Sequence, residues 1–280
     1  MLVQQKGYGF MAVQVVWFKR DLRTNDHTPL LLASQVGPVL PLYVIETGLW
    51  EQPDKSARQW FVTSNALEEL RNELAKLGAP LVIRIGNVTN VLSQIKAHLN
   101  IGGLWSHEET GNGWTYSRDI RVKDWARSES IPWHEFPQFG VVRGLRDRAG
   151  WSKRWDQFMQ SPVSGQPTTL KSVSPLQSVE IPKPEQLGLK ADGIFDAHLG
   201  KRSSGLALMR SFLNNRGEKY QKEMSSPLTA GSSCSRLSVH LSNGTISMRE
   251  VSQAAVRRQK HIAFFQQNQK HSAHMNRIGK

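Results

Sequence analysis

Cysteine and long apolar runs are nearly absent from this sequence, and both absences narrow its class. Cys234 is the single cysteine in 280 residues, which excludes an internal disulfide and a multi-thiolate metal site. No apolar run approaches the roughly 18 residues of a membrane-spanning helix. The start MLVQQKGYGF lacks the hydrophobic core of a signal peptide. We therefore expect a soluble protein in a reducing, cytoplasmic setting.

Two common phosphate-binding motifs are also missing. The sequence contains neither GxGxxG nor GxxxxGK followed by Ser or Thr, which argues against dinucleotide and nucleoside triphosphate sites of those types. Acidic residues are scarce toward one end, since residues 201–280 hold 14 Lys and Arg against three acids. All nine tryptophans lie from Trp17 to Trp155. The chain therefore has two parts of different chemistry.

Short apolar runs rich in β-branched residues indicate buried parallel strands in the first part. They are AVQVVW from Ala12, VLPLYVI from Val39, PLVIRI from Pro80, GLWS near Leu104 and IPWHEF near Ile131. Helical patterns lie between them, since strands and helices alternate along residues 12–140. This alternation predicts an α/β fold, a Rossmann-like doubly wound parallel sheet with helices on both faces.

Helix boundaries can be placed from capping residues. The clearest helix covers about 56–77, where apolar residues recur every three or four positions, and Gly78 is placed to stop it. Asn87 or Thr89 can cap a second helix, and a third is expected over roughly 116–127.

A polar cluster follows the first strand. Arg20, Asp21, Arg23 and Asp26 crowd together in WFKRDLRTNDHTPL, at the kind of strand end where doubly wound sheets bind ligands. The structural alternative is a turn in which these arginines and aspartates pair with one another. Both interpretations stay open on the sequence.

Residues 141–200 are predicted to be a linker. The stretch VSGQPTTLKSVSPLQSVEIPKPEQLGLK is dense in Pro, Ser and Gly, which favours extended, irregular chain. Trp151 and Trp155 lie four residues apart on an expected helical turn, where packing is the simplest role. A helical part covers residues 201–280.

A hydroxyl-rich stretch in the helical part is a candidate anion site. Ser232, Ser233, Ser235 and Ser238 surround the start of a short apolar run beside Arg236, and a helix N-terminus with such donors suits a diphosphate. The alternative is a helix-capping cluster with no ligand. Further on, Asn243-Gly244 predicts a turn, and the Ser247/Glu250 spacing predicts a capping box; we read both as structural.

Two motifs together carry a family resemblance. WFKRDLRTND near the N-terminus and SCSRLSVHLSNGTISMRE, with Tyr220 upstream of the latter, resemble the DNA photolyase and cryptochrome flavoproteins over about residues 12–256. The resemblance implies an antenna domain at 12–140 and part of an all-α FAD-binding domain at 201–280. It also implies that light drives an electron from FAD into pyrimidine dimers in DNA, which splits them, and that a pterin or deazaflavin antenna can bind the first domain.

The resemblance also assigns residues. It implies that the flavin phosphates are held by Tyr220, Cys234, Ser235, Arg236, Leu237 and Ser238. Cys234 stands where the family often has a hydroxyl residue, so it would contribute mainly through its backbone. Glu108 is a looser assignment, as an acceptor for a pterin amino group or as part of a solvated acidic loop.

Departures from the family leave three functions open. Family members are longer, so we expect a C-terminally truncated member, and the absence of tryptophan after Trp155 implies that the family's electron relay has no counterpart here. The alternatives are a photolyase impaired by truncation, a cryptochrome-type blue-light photoreceptor, and a non-catalytic fragment.

The positive charge of the helical part has two explanations. It can contact DNA phosphates, or it can be a solvated basic face. The candidate phosphate contacts are Arg257, Arg258, Lys260, Lys270 and Arg277. Three histidines nearby, His261, His271 and His274, are expected to be surface residues and not metal ligands.

Overall fold

The predicted parallel sheet is present. A computed structural model describes residues 12–173, 176–190 and 200–278, with side chains as far as residue 268. All strand pairs of its five-stranded sheet are parallel, and the order is β3-β2-β1-β4-β5. The strands are β1 (Val13–Phe18), β2 (Val39–Ile45), β3 (Val82–Ile85), β4 (Ile101–His107) and β5 (Trp133–Phe136). The order reverses direction at β1, which lies between β2 and β4, and this is the switch point of a doubly wound sheet.

Helices cover both faces of the sheet. They are α1 (Thr28–Val36), α2 (Thr47–Trp50), α3 (Ala57–Leu77), α4 (Val88–His98) and α5 (Gly113–Ser128). One apolar cluster joins the sheet to α1 and α3, and it includes Leu30, Trp60 and Leu67. A second cluster on the opposite face joins it to α4 and α5, with Leu92 and Val122. The two clusters confirm the α/β fold predicted from the alternating pattern.

The capping residues of α3 and α4 are the predicted ones. Ser56 and Gln59 form a capping box at the start of α3, and Gly78 ends it at φ 102°. Asn87, rather than Thr89, caps α4, because its side chain accepts a hydrogen bond from the Thr89 amide at 3.0 Å. Helix α5 is longer than predicted at its start, where the Asn112 side chain caps it.

The segment after β5 is mostly irregular and lies against the α/β part. It contains helix α6 (Trp151–Gln160) and a 3-10 turn (Pro184–Leu187). Leu170 and Leu189 are buried in the cluster beneath α3, and the Trp60 indole donates to the Pro182 carbonyl at 2.8 Å. These contacts make the segment a strap across the domain; the domain boundaries themselves stay a prediction.

The last part of the chain is helical. Its helices are α7 (Arg202–Asn214), α8 (Tyr220–Glu223), α9 (Ala230–Ser233), α10 (Ser238–Asn243) and α11 (Met248–Ile278), with a 3-10 turn at Arg216–Lys219. Ser247 and Glu250 form the predicted capping box of α11, with reciprocal bonds of 3.0 and 2.8 Å. Within the described residues, no helix is both long enough and apolar enough to cross a membrane.

The turn after α10 connects the helical part to β1. The Leu22 amide donates to the Asn243 carbonyl at 3.1 Å, and the Arg23 guanidinium donates to the Gly244 carbonyl at 2.8 Å. Gly244 has φ 64°, and a Cβ there would overlap the Arg20 carbonyl. Only glycine therefore allows this approach without strain.

Charged side chains complete the same junction. The Arg249 guanidinium binds both carboxylate oxygens of Asp26, whose side chain is 1% exposed. Glu250 accepts from Arg202 and from the Asn25 amide at 3.0 Å. The motif that follows β1 thus holds the two parts of the chain together.

Candidate functional site

A cleft opens where β1, β2 and β4 end. Its volume is about 180 Å³, and residues from the strand ends, α2, α3, α5 and α10 line it. Ser242 and Asn243 bring the helical part to its wall. This is the position at which doubly wound sheets bind ligands, and the volume suits a ring system better than a whole dinucleotide, because ligand pockets commonly measure about 300–1,000 Å³.

Two cations flank an indole in this cleft. The Lys19 ammonium lies 4.7 Å from the centre of the Trp17 ring, and the Arg118 guanidinium carbon lies 4.8 Å from the same ring. Burial lowers the pKa of Lys19, although Asp119 at 3.3 Å opposes the shift. These cation–π contacts fix the ring and the charges in place.

Carboxylates balance those cations. Glu109 accepts two hydrogen bonds from Arg20, at 2.6 and 3.0 Å. Burial raises the pKa of the Glu109 carboxyl, but the nearby cations, Arg20 first, outweigh burial and hold that pKa below its ordinary value. Burial raises the pKa of Glu46, although Arg118 lies 3.2 Å away. The cleft is therefore polar but close to neutral.

A fully buried polar network lies behind the cleft. Asp21 Oδ2 is 2.9 Å from His27 Nε2 and 2.7 Å from His107 Nδ1. Burial lowers the pKa of His27, and it lowers the pKa of His107 to about 3. Burial raises the pKa of Asp21, but His27 and His107 outweigh it and hold the pKa well below its ordinary value.

The same three side chains have ligand atoms within 4.8 Å of one another, as a metal site requires. His27 Nδ1, however, accepts the Leu30 amide at 3.1 Å as the cap of α1. With neutral histidines, the remaining ring nitrogens donate to Asp21 and satisfy it. Hydrogen bonding therefore accounts for the cluster without an ion.

The four polar residues of the strand-end motif do not pair with one another through their charged groups. Arg20 binds Glu109, Asp21 binds the histidines, and Asp26 binds Arg249. Within the motif, Arg23 donates only to the backbone carbonyl of Asp26, and outside it Arg23 donates to Gln138 and to the Gly244 carbonyl. The pairing interpretation of this motif is wrong, because each side chain finds a partner on a different element.

One arginine side chain bonds the backbone of the hydroxyl-rich segment. Arg216 donates to the carbonyls of Leu208, Cys234 and Ser235. Arg236 has φ 60° and is exposed, Leu237 is buried and Ser238 is exposed at the start of α10. Among the described residues, Arg236 has no ion pair.

Tyr220 lies apart from that segment in the hydrogen-bonding network. Its ring packs edge-on against Phe212 at 5.6 Å, and it is 37% exposed. In the part of the chain that the structure describes, no hydrogen bond joins it to residues 234–238. None of the six assigned residues lines the cleft at the sheet edge.

The other candidates are at the surface. Glu108 pairs with Arg143 at 3.3 Å, and its neighbour Glu109 is the residue that lines the cleft. Arg257 and Lys260 are exposed, whereas Arg258 donates to the Leu213 carbonyl at 2.9 Å. His261 stacks edge-on against a phenylalanine of its own helix. Four further candidate residues fall outside the described side chains: Lys270, Arg277, His271 and His274.

Sequence reasoning missed the charged residues of the cleft. Lys19, Glu46 and Arg118 were not candidates, although Glu46 directly follows a predicted strand and Lys19 lies two residues after one. That position is the signal which was available. Nothing in the spacing of Arg118 marks it, because it reaches the cleft from α5.

Known proteins with similar sequences and structures support the α/β fold with a cleft at its switch point. Residues 14–143 match the family model for DNA photolyase. The deoxyribodipyrimidine photo-lyase of Escherichia coli is 26% identical over 263 residues, covering 86% of this chain and 53% of the relative. The chain thus spans about half the length of that curated relative.

Solved structures agree with the fold. The cryptochrome of Synechocystis superposes with a TM-score of 0.74 at 18% identity, over 91% of this chain and 59% of the other. An archaeal photolyase from Sulfolobus tokodaii, solved with two FAD molecules, gives 0.66 at 23% identity, over 85% and 54%. The family model and the curated relatives point to the DNA photolyase and cryptochrome family, and the solved structures share the fold.

Proposed function

We propose that this chain belongs to a light-driven DNA repair flavoprotein of the photolyase type. In this proposal, residues 12–140 form the antenna domain, residues 141–200 the linker, and residues 201–280 part of the FAD-binding domain. The photolyase relatives support the class of reaction, and the S. tokodaii structure supports FAD as the cofactor. DNA that contains pyrimidine dimers is the proposed substrate.

One observation carries the cofactor assignment. The Arg236 guanidinium is exposed and has no ion pair among the described residues, and the hydroxyls of Ser235 and Ser238 flank it in sequence. A free guanidinium with adjacent hydroxyl donors is the donor set that phosphate oxygens require. These residues therefore fit the diphosphate of FAD, with Cys234 and Leu237 contributing backbone and Tyr220 the preceding turn.

This chain's residues would bind and orient FAD and the DNA, while the cofactor supplies the photochemistry. When bound, FAD supplies the light-driven electron that splits the cyclobutane ring. Arg236 and the two serines would fix the phosphates, and Arg216 would hold the segment's carbonyls away from them. The basic side chains Arg257 and Lys260 would contact DNA phosphates, and extrusion of the dimer from the duplex would bring it to the cofactor.

The cleft at the sheet edge is proposed as the antenna site. Glu109, rather than Glu108, is the carboxylate that lines the cleft and can accept from a ligand amino group. A pterin or deazaflavin ring matches the polar lining and the small volume.

FAD binding by the purified full chain tests the first part of the proposal. We expect Arg236→Ala to weaken FAD binding about 10- to 100-fold, since hydrogen bonds to a charged group contribute about 1.5–3 kcal/mol. Arg210→Ala is the matched control, an exposed arginine of α7 whose side chain bonds only its own helix. Flavin fluorescence quenching gives both dissociation constants. Equal FAD affinity of the two variants would contradict the assignment of Arg236 to the FAD phosphates.

Illumination then separates the candidate activities. Flavin-loaded protein is exposed to blue light with an oligonucleotide that contains one thymine dimer, and dimer loss is followed by chromatography. Dimer loss supports repair. Bound flavin without dimer loss favours the photoreceptor, and a colourless protein that takes up no flavin favours the non-catalytic fragment.

A further inference from the structure

Residues 141–155 form an exposed segment that the proposed function does not use. The sequence VVRGLRDRAGWSKRW holds five cations and one carboxylate. Of its first fourteen residues, all but Leu145 are exposed. We call residues 141–155 the basic-aromatic segment.

Most of its positive charge is unpaired. Arg143 is held by Glu135 at 2.9 Å and by Glu108 at 3.3 Å. The other four cations have no ion pair in the described part of the chain: Arg146, Arg148, Lys153 and Arg154. The single carboxylate, Asp147, accepts the Ala149 amide at 3.0 Å. A local net charge of this density, left without internal partners, attracts a polyanion.

An aromatic ring is presented beside those cations. Trp151 is 40% exposed, and its ring centre lies 6.5 Å from that of Trp155 at an angle of 37°. Exposed indoles next to guanidinium groups form the stacking surfaces on which proteins bind unpaired bases. A continuous duplex offers its phosphates but not its base faces, so the exposed ring selects for single strands.

Helix α6, which carries Trp151, is held in place by contacts with α11. Met159, at the other end of α6, is 2% exposed. The Gln253 side chain of α11 donates to the carbonyls of Met159 and Ser161 at 2.9 and 2.8 Å. The Arg249 guanidinium lies over the Phe158 ring at 4.9 Å. The ring of Trp151 is therefore offered by an anchored helix, which reduces the entropy lost on binding.

The cations have a suitable spacing. Arg146 and Arg148 lie in non-helical chain, separated by one residue. Two residues span at most about 7 Å, so their guanidinium groups can reach successive phosphates of one strand.

We propose that the basic-aromatic segment binds single-stranded nucleic acid without regard to sequence or damage. Arg146 and Arg148 contact successive phosphates, and Trp151 stacks on a base. This surface is separate from the residues assigned to FAD, and its binding needs neither flavin nor light. Failure of the proposed repair activity would leave it standing.

Binding is measured in the dark, with the full chain and undamaged, fluorescently labelled oligonucleotides. The probes are a 15-mer of dT, a 15-mer of U and a blunt duplex of the same length, and the readout is anisotropy as a function of salt. We expect Trp151→Ala to weaken single-strand binding about 5- to 150-fold, since loss of one stacked base costs about 1–3 kcal/mol. We expect Arg146→Ser with Arg148→Ser to reduce the slope of log K against log salt by about 1.4.

Helix α5 offers matched controls. Arg121 and Lys123 are exposed, lie two residues apart and have no ion pair among the described residues, and Tyr116 is 68% exposed. The double change at 121 and 123 to Ser, and Tyr116→Ala, should leave affinity and salt slope unchanged.

Three results would overturn the proposal. The first is that the protein binds the duplex more tightly than either single strand. The second is that the α5 control variants lose as much single-strand affinity as the variants of the basic-aromatic segment. The third is that the protein binds vesicles of anionic phospholipid but neither single strand. All substituted residues are exposed, so the variants are expected to fold, and circular dichroism checks that they do. A difference between dT and U tells which single strand is preferred.

Discussion

The α/β part and the helical part of this chain are stabilised in different ways. Apolar side chains fill both faces of the sheet in two clusters. In the described residues from 200 onward, the buried apolar side chains are Leu237 and Ile246 alone. The helical part instead contacts the motif after β1 through Arg249, Glu250 and the backbone around Gly244.

The comparison teaches that the helical part depends on its neighbour for stability. Burial of apolar surface is the main driving force of folding, and this part has little of it while carrying most of the excess positive charge. Its position therefore depends on a few directed polar contacts with the α/β part. The following predictions test that dependence.

Loss of the Asp26–Arg249 pair should have the largest effect. We expect Asp26→Ala to destabilise the protein by about 3–5 kcal/mol, because removal of one partner leaves a mostly buried charge unpaired. Hydrogen exchange should show α10 and α11 losing protection before the sheet does. Asp54→Ala, which removes an exposed carboxylate paired with Lys55 at 3.2 Å, is the control and should change stability by less than about 1 kcal/mol. Equal loss of protection in both parts would contradict the dependence.

As the pH falls, the α/β part should lose stability before the contacts that join it to the helical part do. The pKa values of His27 and His107 are lowered on folding, that of His107 to about 3, so the unfolded state binds protons first as pH falls below about 6.5. Each such histidine costs about 1.4 kcal/mol per pH unit, and His107 alone about 3 kcal/mol at pH 4.5.

The carboxylates of the junction titrate lower. Arg202 holds the pKa of Glu250 below its ordinary value despite burial, and hydrogen bonds do the same for the pKa of Asp26. The contribution of these two carboxylates to the free energy of unfolding is present above about pH 4 and is lost below it. Urea unfolding between pH 7.5 and 4.5 should therefore follow the histidines, and His107→Asn should flatten the profile. A profile that stays flat down to pH 4.5 in the unaltered protein would exclude neutral, buried histidines.

A matched pair of caps should show the smallest effect. Ser56 and Ser247 form the same capping box, on α3 and α11 respectively. Each Ser→Ala change should cost about 1 kcal/mol. Ser247→Ala should accelerate hydrogen exchange at the start of α11 more than Ser56→Ala does at the start of α3, because the packed face of α3 resists opening. The reverse order would mean that α11 has support of its own.

Local patterns in the sequence were enough for the strands and the helix ends. A strand or a cap depends on neighbouring residues, so β-branched runs predicted the five strands, and Ser56, Gly78 and Asn87 marked helix ends. The residues assigned to FAD came from a resemblance, and their role stays a proposal. The partners of the strand-end motif were not predictable, since Asp21 meets His107 and Asp26 meets Arg249 across long stretches of chain.

The amino-acid sequence by itself determined the class of fold, because hydrophobic period and capping chemistry act over a few residues at a time. Only the tertiary structure decided which charges meet, since chain folding sets the distance between residues that are far apart in sequence. Glu109 therefore lines the cleft beside Arg20, while the adjacent Glu108 faces away and pairs with Arg143. The two neighbouring glutamates are the same residue type, and only their different partners in the folded chain distinguish them.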